Sequence, residues 1–95
     1  MKKSIYCVFD KVGNEMSTTL MLANNKQFFI RDRSTCKLPP VMEEHTEDFD
    51  IYCLGTIETE TLEVVPEKTF VAHLGAVRRV DYGNNQEANI LDSKN

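Results

Sequence analysis

Few side chains of this sequence have the types and spacing that catalysis or metal binding requires. His45 lies among acidic residues and could join a site for a hard cation, but the segment lacks the alternating oxygen ligands and central glycine of a calcium loop. Cys36 and His45 could form a nucleophile and a base, yet no orienting residue or oxyanion-hole turn accompanies them. The four glycines are scattered singly, so no phosphate-binding loop is present. We expect a protein that is not an enzyme and has no metal site and no cofactor.

A group of basic residues could contact phosphates. If residues 26–37 form a helix, Lys26, Arg33 and Lys37 fall on one stripe, and an exposed aromatic residue such as Phe28 could stack on bases. The candidate nucleic-acid-binding residues are Lys26, Arg31, Arg33 and Lys37. The formal net charge of −4 argues against a dedicated nucleic-acid-binding domain, which is usually basic.

An acidic segment follows these basic residues. Residues 38–67 contain nine acidic residues and no Lys or Arg. Such a segment can steer a basic partner or occupy a groove that otherwise binds a phosphate backbone. The candidate partner-binding residues are Glu43, Glu44, Glu47 and Asp48. The alternative is a solvated acidic loop without a partner.

Length and composition restrict the class of protein. The chain has 95 residues, which is enough for one domain, and 41% of them are hydrophobic, as in globular proteins. The longest apolar run, Ile5–Phe9, is too short to span a membrane, and no cleavage site of a signal peptide follows it. Three cysteines without a CxxC pair indicate a reducing compartment, which predicts a cytoplasmic protein.

Hydrophobic periodicity and turn residues predict the elements that carry these side chains. Asn24 and Asn25 predict the N-terminus of a helix from Lys26 to about Lys37 that ends before the two prolines at 39–40 and turns Phe28 and Phe29 toward a sheet. Strands are predicted over 4–10, 17–22, 49–57, 62–65 and 69–74, with an acidic loop over 39–48.

The two strongest predicted strands, 4–10 and 49–57, have apolar residues on both faces, which predicts that both faces are buried. In the last strand His73 alternates with Phe70, Ala72 and Leu74 and is expected to point to the opposite face from them. The pattern predicts one α+β domain over residues 1–80, with an antiparallel sheet of about five strands and one helix packed on one face. Residues 81–95 are polar and are expected to form a flexible tail.

Three segments occur in the order that is typical of a known family. They are Ile5–Asp10, Leu22–Asn25 and Glu47–Gly55. With these segments the chain resembles, over about residues 4–77, the small nonstructural protein of gokushovirus-type microviruses, which are single-stranded DNA phages. The resemblance implies a phage protein that is made in the host bacterial cytoplasm and assists single-stranded DNA synthesis or packaging. Leu62 follows Thr61 where the family usually has glycine, which predicts a different or strained turn.

Two functions are compatible with these observations. The first is a non-enzymatic phage accessory protein that assists genome replication or packaging, either by binding single-stranded DNA through the basic helix stripe or by acting on phage replication or procapsid proteins. The alternative is an acidic modulator that mimics DNA and binds a basic host protein, such as a defence enzyme. Open sheet edges could also pair two copies into a homodimer.

Overall fold

The computed structural model describes residues 1–79, so residues 80–95, which include the predicted tail, lie outside the described residues. Five strands and three helices follow the order β1 (Lys2–Asp10), β2 (Glu15–Met16), β3 (Met21–Ala23), α1 (Lys26–Thr35), α2 (Pro40–Glu44), β4 (Phe49–Glu58), β5 (Val64–His73) and α3 (Leu74–Arg79). A short 3₁₀ helix over Thr46–Asp48 precedes β4. This architecture confirms the predicted α+β class with a five-stranded antiparallel sheet.

The long pairing of β1 with β4 forms the centre of the sheet. The strand order is β2-β1-β4-β5, and every pairing is antiparallel. The short strands β2 and β3 pair with opposite ends of β1, on the edge away from β4. The predicted strand over 17–22 is therefore wrong in its bounds, because β2 ends before this segment and β3 includes only its last two residues.

All three helices contribute to one hydrophobic core on a single face of the sheet. Tyr6 and Val8 of β1 and Ile51 of β4 are buried against Phe29 of α1, and the core is completed by Leu38, Met42, Phe49, Leu74 and Val77. The rings of Tyr6 and Phe29 stack with their centroids 4.2 Å apart. Burial raises the pKa of the Tyr6 hydroxyl, and a hydrogen bond with Ser4 offsets part of that effect.

The structure confirms the predicted start of helix α1. The side-chain oxygen of Asn25 accepts a hydrogen bond of 2.8 Å from the backbone N–H of Phe28, which satisfies a free donor of the first turn. The helix ends at Thr35, before the two prolines. Phe29 is buried, but Phe28 is 64% exposed. The prediction that both rings face the sheet is thus wrong for Phe28, because successive helical residues point in different directions.

The C-terminal half differs from the prediction in three respects. The strands predicted over 62–65 and 69–74 form the single strand β5, in which Pro66 is tolerated because β5 lies at the edge of the sheet. The predicted acidic loop over 39–48 contains α2 and the 3₁₀ helix, and α3 was not predicted. Leu62 adopts φ of 65°, so the unusual turn expected at this residue is present.

Register shifts in both pairings of β4 change which side chains share a face. In β4, Gly55 lies opposite Ile5 and Cys53 lies opposite Tyr6, which leaves one extra residue between them. A similar shift in β5 falls between Ala72 and Phe70. Because of this extra residue, Phe70 and His73 lie on the same face with their rings 5.0 Å apart. The prediction that His73 points away from Phe70 is therefore wrong.

Gly55 is a position where we expect any side chain to destabilise the sheet. Its φ is 133°, and an added Cβ would lie 2.1 Å from the carbonyl oxygen of Val65 in β5. Gly55→Ala should lower the free energy of unfolding by about 3 kcal/mol, through backbone strain and this overlap. Urea denaturation would measure the change. Gly13→Ala is the control, because its Cβ would meet only the flexible side chain of Asp10; an equal destabilisation of both variants would contradict the prediction.

Candidate nucleic-acid interface

The four predicted basic residues are not presented together on one helical face. Lys26, Arg31 and Lys37 are exposed, but Lys37 lies beyond the end of α1. Arg33 is largely covered: its side chain is 19% exposed, its guanidinium lies 5.6 Å over the ring of Phe29, and Nη2 donates to Asp32 at 2.8 Å. Arg33 is therefore engaged within the domain, whereas the other three residues are accessible to a ligand.

The four predicted acidic residues also differ in their roles. Both carboxylate oxygens of Glu43 accept from Nη2 of Arg78, at 2.9 and 2.8 Å. Nη1 of Arg78 donates to the carbonyl oxygens of Arg33 and Cys36 at the end of α1. Glu43 thus helps to join α1, α2 and α3. Of the other three, Glu44 and Glu47 are exposed, and Asp48 is partly buried in the 3₁₀ helix.

The sheet face opposite the helices brings aromatic side chains together. Phe9 of β1 contacts Tyr52 of β4 with ring centroids 6.2 Å apart, and Tyr52 contacts Phe70 of β5 at 5.8 Å, both edge to face. His73 extends this series beyond Phe70. We call Phe9, Tyr52, Phe70 and His73 the aromatic row. Phe70 is 50% exposed, so at least part of the row is accessible.

Basic groups accompany the aromatic row. Nζ of Lys68 lies 5.6 Å over the ring of Tyr52, within the range of a cation–π interaction. Nζ of Lys11 lies 3.3 Å from Oδ1 of Asp50, and Nδ1 of His73 lies 2.8 Å from the same oxygen. Asp50 itself is only 6% exposed. The row therefore combines aromatic surface with two lysines and a histidine, which is the combination that single-stranded nucleic acids bind.

Two buried side chains of β1 support the row. Ile5 and Cys7 are 7% and 5% exposed although they point away from the helices. Leu22 and Tyr52 lie opposite them on the neighbouring strands. Burial raises the pKa of the Cys7 thiol, which disfavours the reactive thiolate. The apolar residues on both faces of β1 are thus buried, but on this face by neighbouring side chains of the sheet.

The sequence analysis missed the residues of this surface. They are Phe9, Lys11, Asp50, Tyr52, Lys68 and Phe70, together with His73 in its role beside them. One signal in the sequence was the spacing of Asp50 and Tyr52 on one side of β4, where a charged residue interrupts an apolar strand. The contribution of β5 depends on its bulge, which no residue pattern indicated.

A membrane-spanning helix and a metal-binding group of side chains are both absent from residues 1–79. None of the helices in this part of the chain is long and apolar enough to cross a membrane. Within the same residues, no group of three or more His, Cys, Asp or Glu side chains is arranged to hold a metal ion.

Comparison with known proteins assigns the chain to a family. The family model described as Phage ORF5 protein matches residues 3–80. The chain belongs to this phage protein family. In this member of the Phage ORF5 family, the match includes the whole aromatic row and every residue of the sheet except Lys2. No curated protein and no solved structure matches the chain. The phage assignment expected from the resemblance is thereby confirmed at the level of a phage protein.

Arg78 should contribute more to stability than the carboxylate that it binds. Arg78→Ala removes the hydrogen bonds to two carbonyl groups and to Glu43, and should lower the free energy of unfolding by about 2–3 kcal/mol. Glu43→Gln should cost about 0.5–1 kcal/mol, because this ion pair is partly exposed. Glu44→Gln is the matched control, with no expected change. Chemical denaturation would compare the three variants, and a destabilisation by Glu44→Gln as large as that by Glu43→Gln would contradict this account.

Proposed function

We propose that this phage protein is a non-enzymatic accessory protein that binds single-stranded DNA and assists genome replication or packaging in the host bacterial cytoplasm. The observation that carries the proposal is the aromatic row, which crosses three adjacent strands and is accompanied by Lys11 and Lys68. The resemblance to the nonstructural proteins of gokushovirus-type microviruses supports single-stranded DNA as the ligand.

The chemistry of the row favours unpaired bases. Stacking of a base on an aromatic side chain contributes about 1–3 kcal/mol and depends little on the identity of the base. In a duplex, the faces of the bases are already stacked and cannot reach the rings. Lysines beside the row can contact the phosphates of the bound strand. The row should therefore bind single strands with little sequence preference.

The acidic net charge is compatible with this proposal because two of the predicted acidic residues lie on the helix-covered face of the domain. Glu43 and Glu44 belong to α2, whose Met42 packs into the core on the helix-covered face. Asp50, at the end of the row, is buried and bound by Lys11 and His73. A DNA strand on the row would thus meet cationic groups, while α2 faces solvent on the other side of the sheet.

A second candidate is the acidic modulator of a basic host protein. It is favoured by the exposure of Glu44 and Glu47, which lie within one short segment around α2. In this alternative the same phage protein would bind a partner through carboxylates and would not need the aromatic row. Glu44→Gln with Glu47→Gln should then abolish capture of the partner while leaving Phe70 dispensable.

An aromatic substitution tests the row directly. Phe70→Ala should weaken binding of a labelled oligothymidine by about 5- to 100-fold, which corresponds to the removal of one stacking interaction. Fluorescence anisotropy at low salt would measure the affinity. Phe28→Ala removes an equally large exposed ring from α1 and serves as the matched control. Equal affinities of the two variants would exclude the row as the binding surface, and no binding by the wild-type protein would exclude the proposed function.

Charge reversal distinguishes the row from the basic helix. Lys68→Glu should weaken oligothymidine binding and reduce the slope of log affinity against log salt by about 0.7 for each phosphate that the variant no longer neutralises. Lys26→Glu makes the same change in charge on α1 and should leave both quantities close to those of the wild type. If only Lys26→Glu reduces the salt slope, DNA binds to the helix and the row is not the interface.

A further inference from the structure

At one end of the aromatic row, which we call the corner, a buried carboxylate contacts the nitrogen atoms of two side chains. Oδ1 of Asp50 accepts from Nζ of Lys11 at 3.3 Å and from Nδ1 of His73 at 2.8 Å. Because both nitrogens contact the same oxygen, Lys11 and His73 lie side by side. Their side chains are 42% and 61% exposed, whereas the side chain of Asp50 is 8% exposed. The carboxylate is thus covered by the two groups that a ligand can reach.

The backbone on both sides of this corner is fixed by secondary structure. The N–H of Lys11, directly after β1, donates to the carbonyl oxygen of Asp48 at 2.9 Å. His73 is the last residue of β5 and is followed directly by α3. Asp50 lies opposite His73 in the register of β4 and β5. Asp50 can therefore act as a positioning residue that holds Lys11 and His73 at one end of the row.

We propose that Lys11 and His73 form a binding site for one phosphate of the DNA strand on the aromatic row, and that this phosphate binds together with a proton on His73. The inference rests on the proposed function, since the phosphate belongs to the bound strand. The proposed site adds the groups that hold one end of the DNA strand, and it makes the affinity for DNA dependent on pH.

The requirement for a proton follows from the hydrogen bond to Asp50. Nδ1 of His73 donates to the carboxylate, so Nε2 is the nitrogen that remains for a ligand. In a neutral ring with the proton on Nδ1, Nε2 is an acceptor and cannot bond to a phosphate oxygen, which is also an acceptor. In the imidazolium ion, Nε2 becomes a donor. The corner then carries two positive charges and one negative charge, a balance that complements one phosphate.

The charged groups that meet at His73 are Asp50 of β4 and Lys11, which directly follows β1. Tyr52 and Lys68 lie further along the row, beyond Phe70. From α3, Arg78 is directed to Glu43 and the end of α1. Histidine is the side-chain type that ordinarily changes charge between about pH 5 and pH 8. The chain contains two histidines, so His45 provides an internal control.

The test measures the affinity of the full chain for oligothymidine, whose bases do not titrate in this range, at about pH 5.5 and about pH 8 and at constant ionic strength. The wild-type protein should bind about tenfold more tightly at the lower pH, because the bound phosphate stabilises the protonated form of His73. The sign follows from linkage: the protonated form binds the phosphate, so the gain is present below the pKa of the free protein and disappears as pH rises through that of the complex.

Variants separate this site from the rest of the row. His73→Gln should bind with an affinity that is independent of pH, whereas His45→Gln should retain the full pH dependence. Lys11→Gln should reduce the salt slope by about 0.7. Thermal unfolding would confirm that each variant is folded, and NMR of the wild-type protein at about pH 7 should show a larger protonated fraction of the His73 ring with oligothymidine than without it.

The possible failures are distinguishable. Binding that depends on Phe70 but is independent of pH would overturn the phosphate site and leave the proposed function intact. Retention of the pH dependence in His73→Gln, or an unchanged protonated fraction of the His73 ring in the complex, would also overturn the site. No binding of oligothymidine at either pH would overturn the proposed function and this inference with it.

Discussion

The pairing of β1 with β4 is the constraint on which the rest of the structure depends. These two central strands have apolar residues on both faces, so two surfaces must be removed from water. The helices bury one face through Tyr6, Val8 and Ile51. On the other face, Ile5 and Cys7 are also buried, and Leu22 and Tyr52 lie opposite them on the neighbouring strands. The aromatic row is the consequence of closing a sheet face with its own side chains.

The burial of the Asp50 carboxylate on this face is not explained by stability alone. Burying a carboxylate has a large cost unless it is paired, and a buried ion pair is often no more stable than apolar residues of similar size. Here the carboxylate is paired with an exposed lysine and an exposed histidine at the end of the aromatic row. An apolar residue would complete the covering of the sheet at lower cost, but it would leave Lys11 and His73 without a common anchor. The arrangement is therefore better explained by what these two side chains bind than by stability.

Local chemistry determined which features could be predicted from the sequence. The start of α1 was predicted because the side-chain oxygen of Asn25 accepts from the N–H of Phe28, only three residues later. The central strands were predicted because each is a continuous apolar run. The bulges and α3 depend on tertiary packing: Leu74 and Val77 are buried only because the helix returns to the core. For the candidate sites, sequence identified basic residues by type, but the contacts of Arg33 with Phe29 and Asp32 arise from the fold. The row was missed because strands that are apolar on both faces do not reveal which face lacks a covering helix.

The residue types of the edge strand β5 indicate that a ligand contacts the face of the sheet rather than its edge. An exposed edge strand tends to pair with another chain, which would give the homodimer expected from open edges. The central part of β5 carries Pro66, Glu67 and Lys68, and proline and charged residues at an edge oppose such pairing. In the same segment, Lys68 and Phe70 direct their side chains to the ring of Tyr52 on the face. The features that discourage β5 from pairing through its backbone thus coincide with those that add a cation and an exposed ring to the aromatic row.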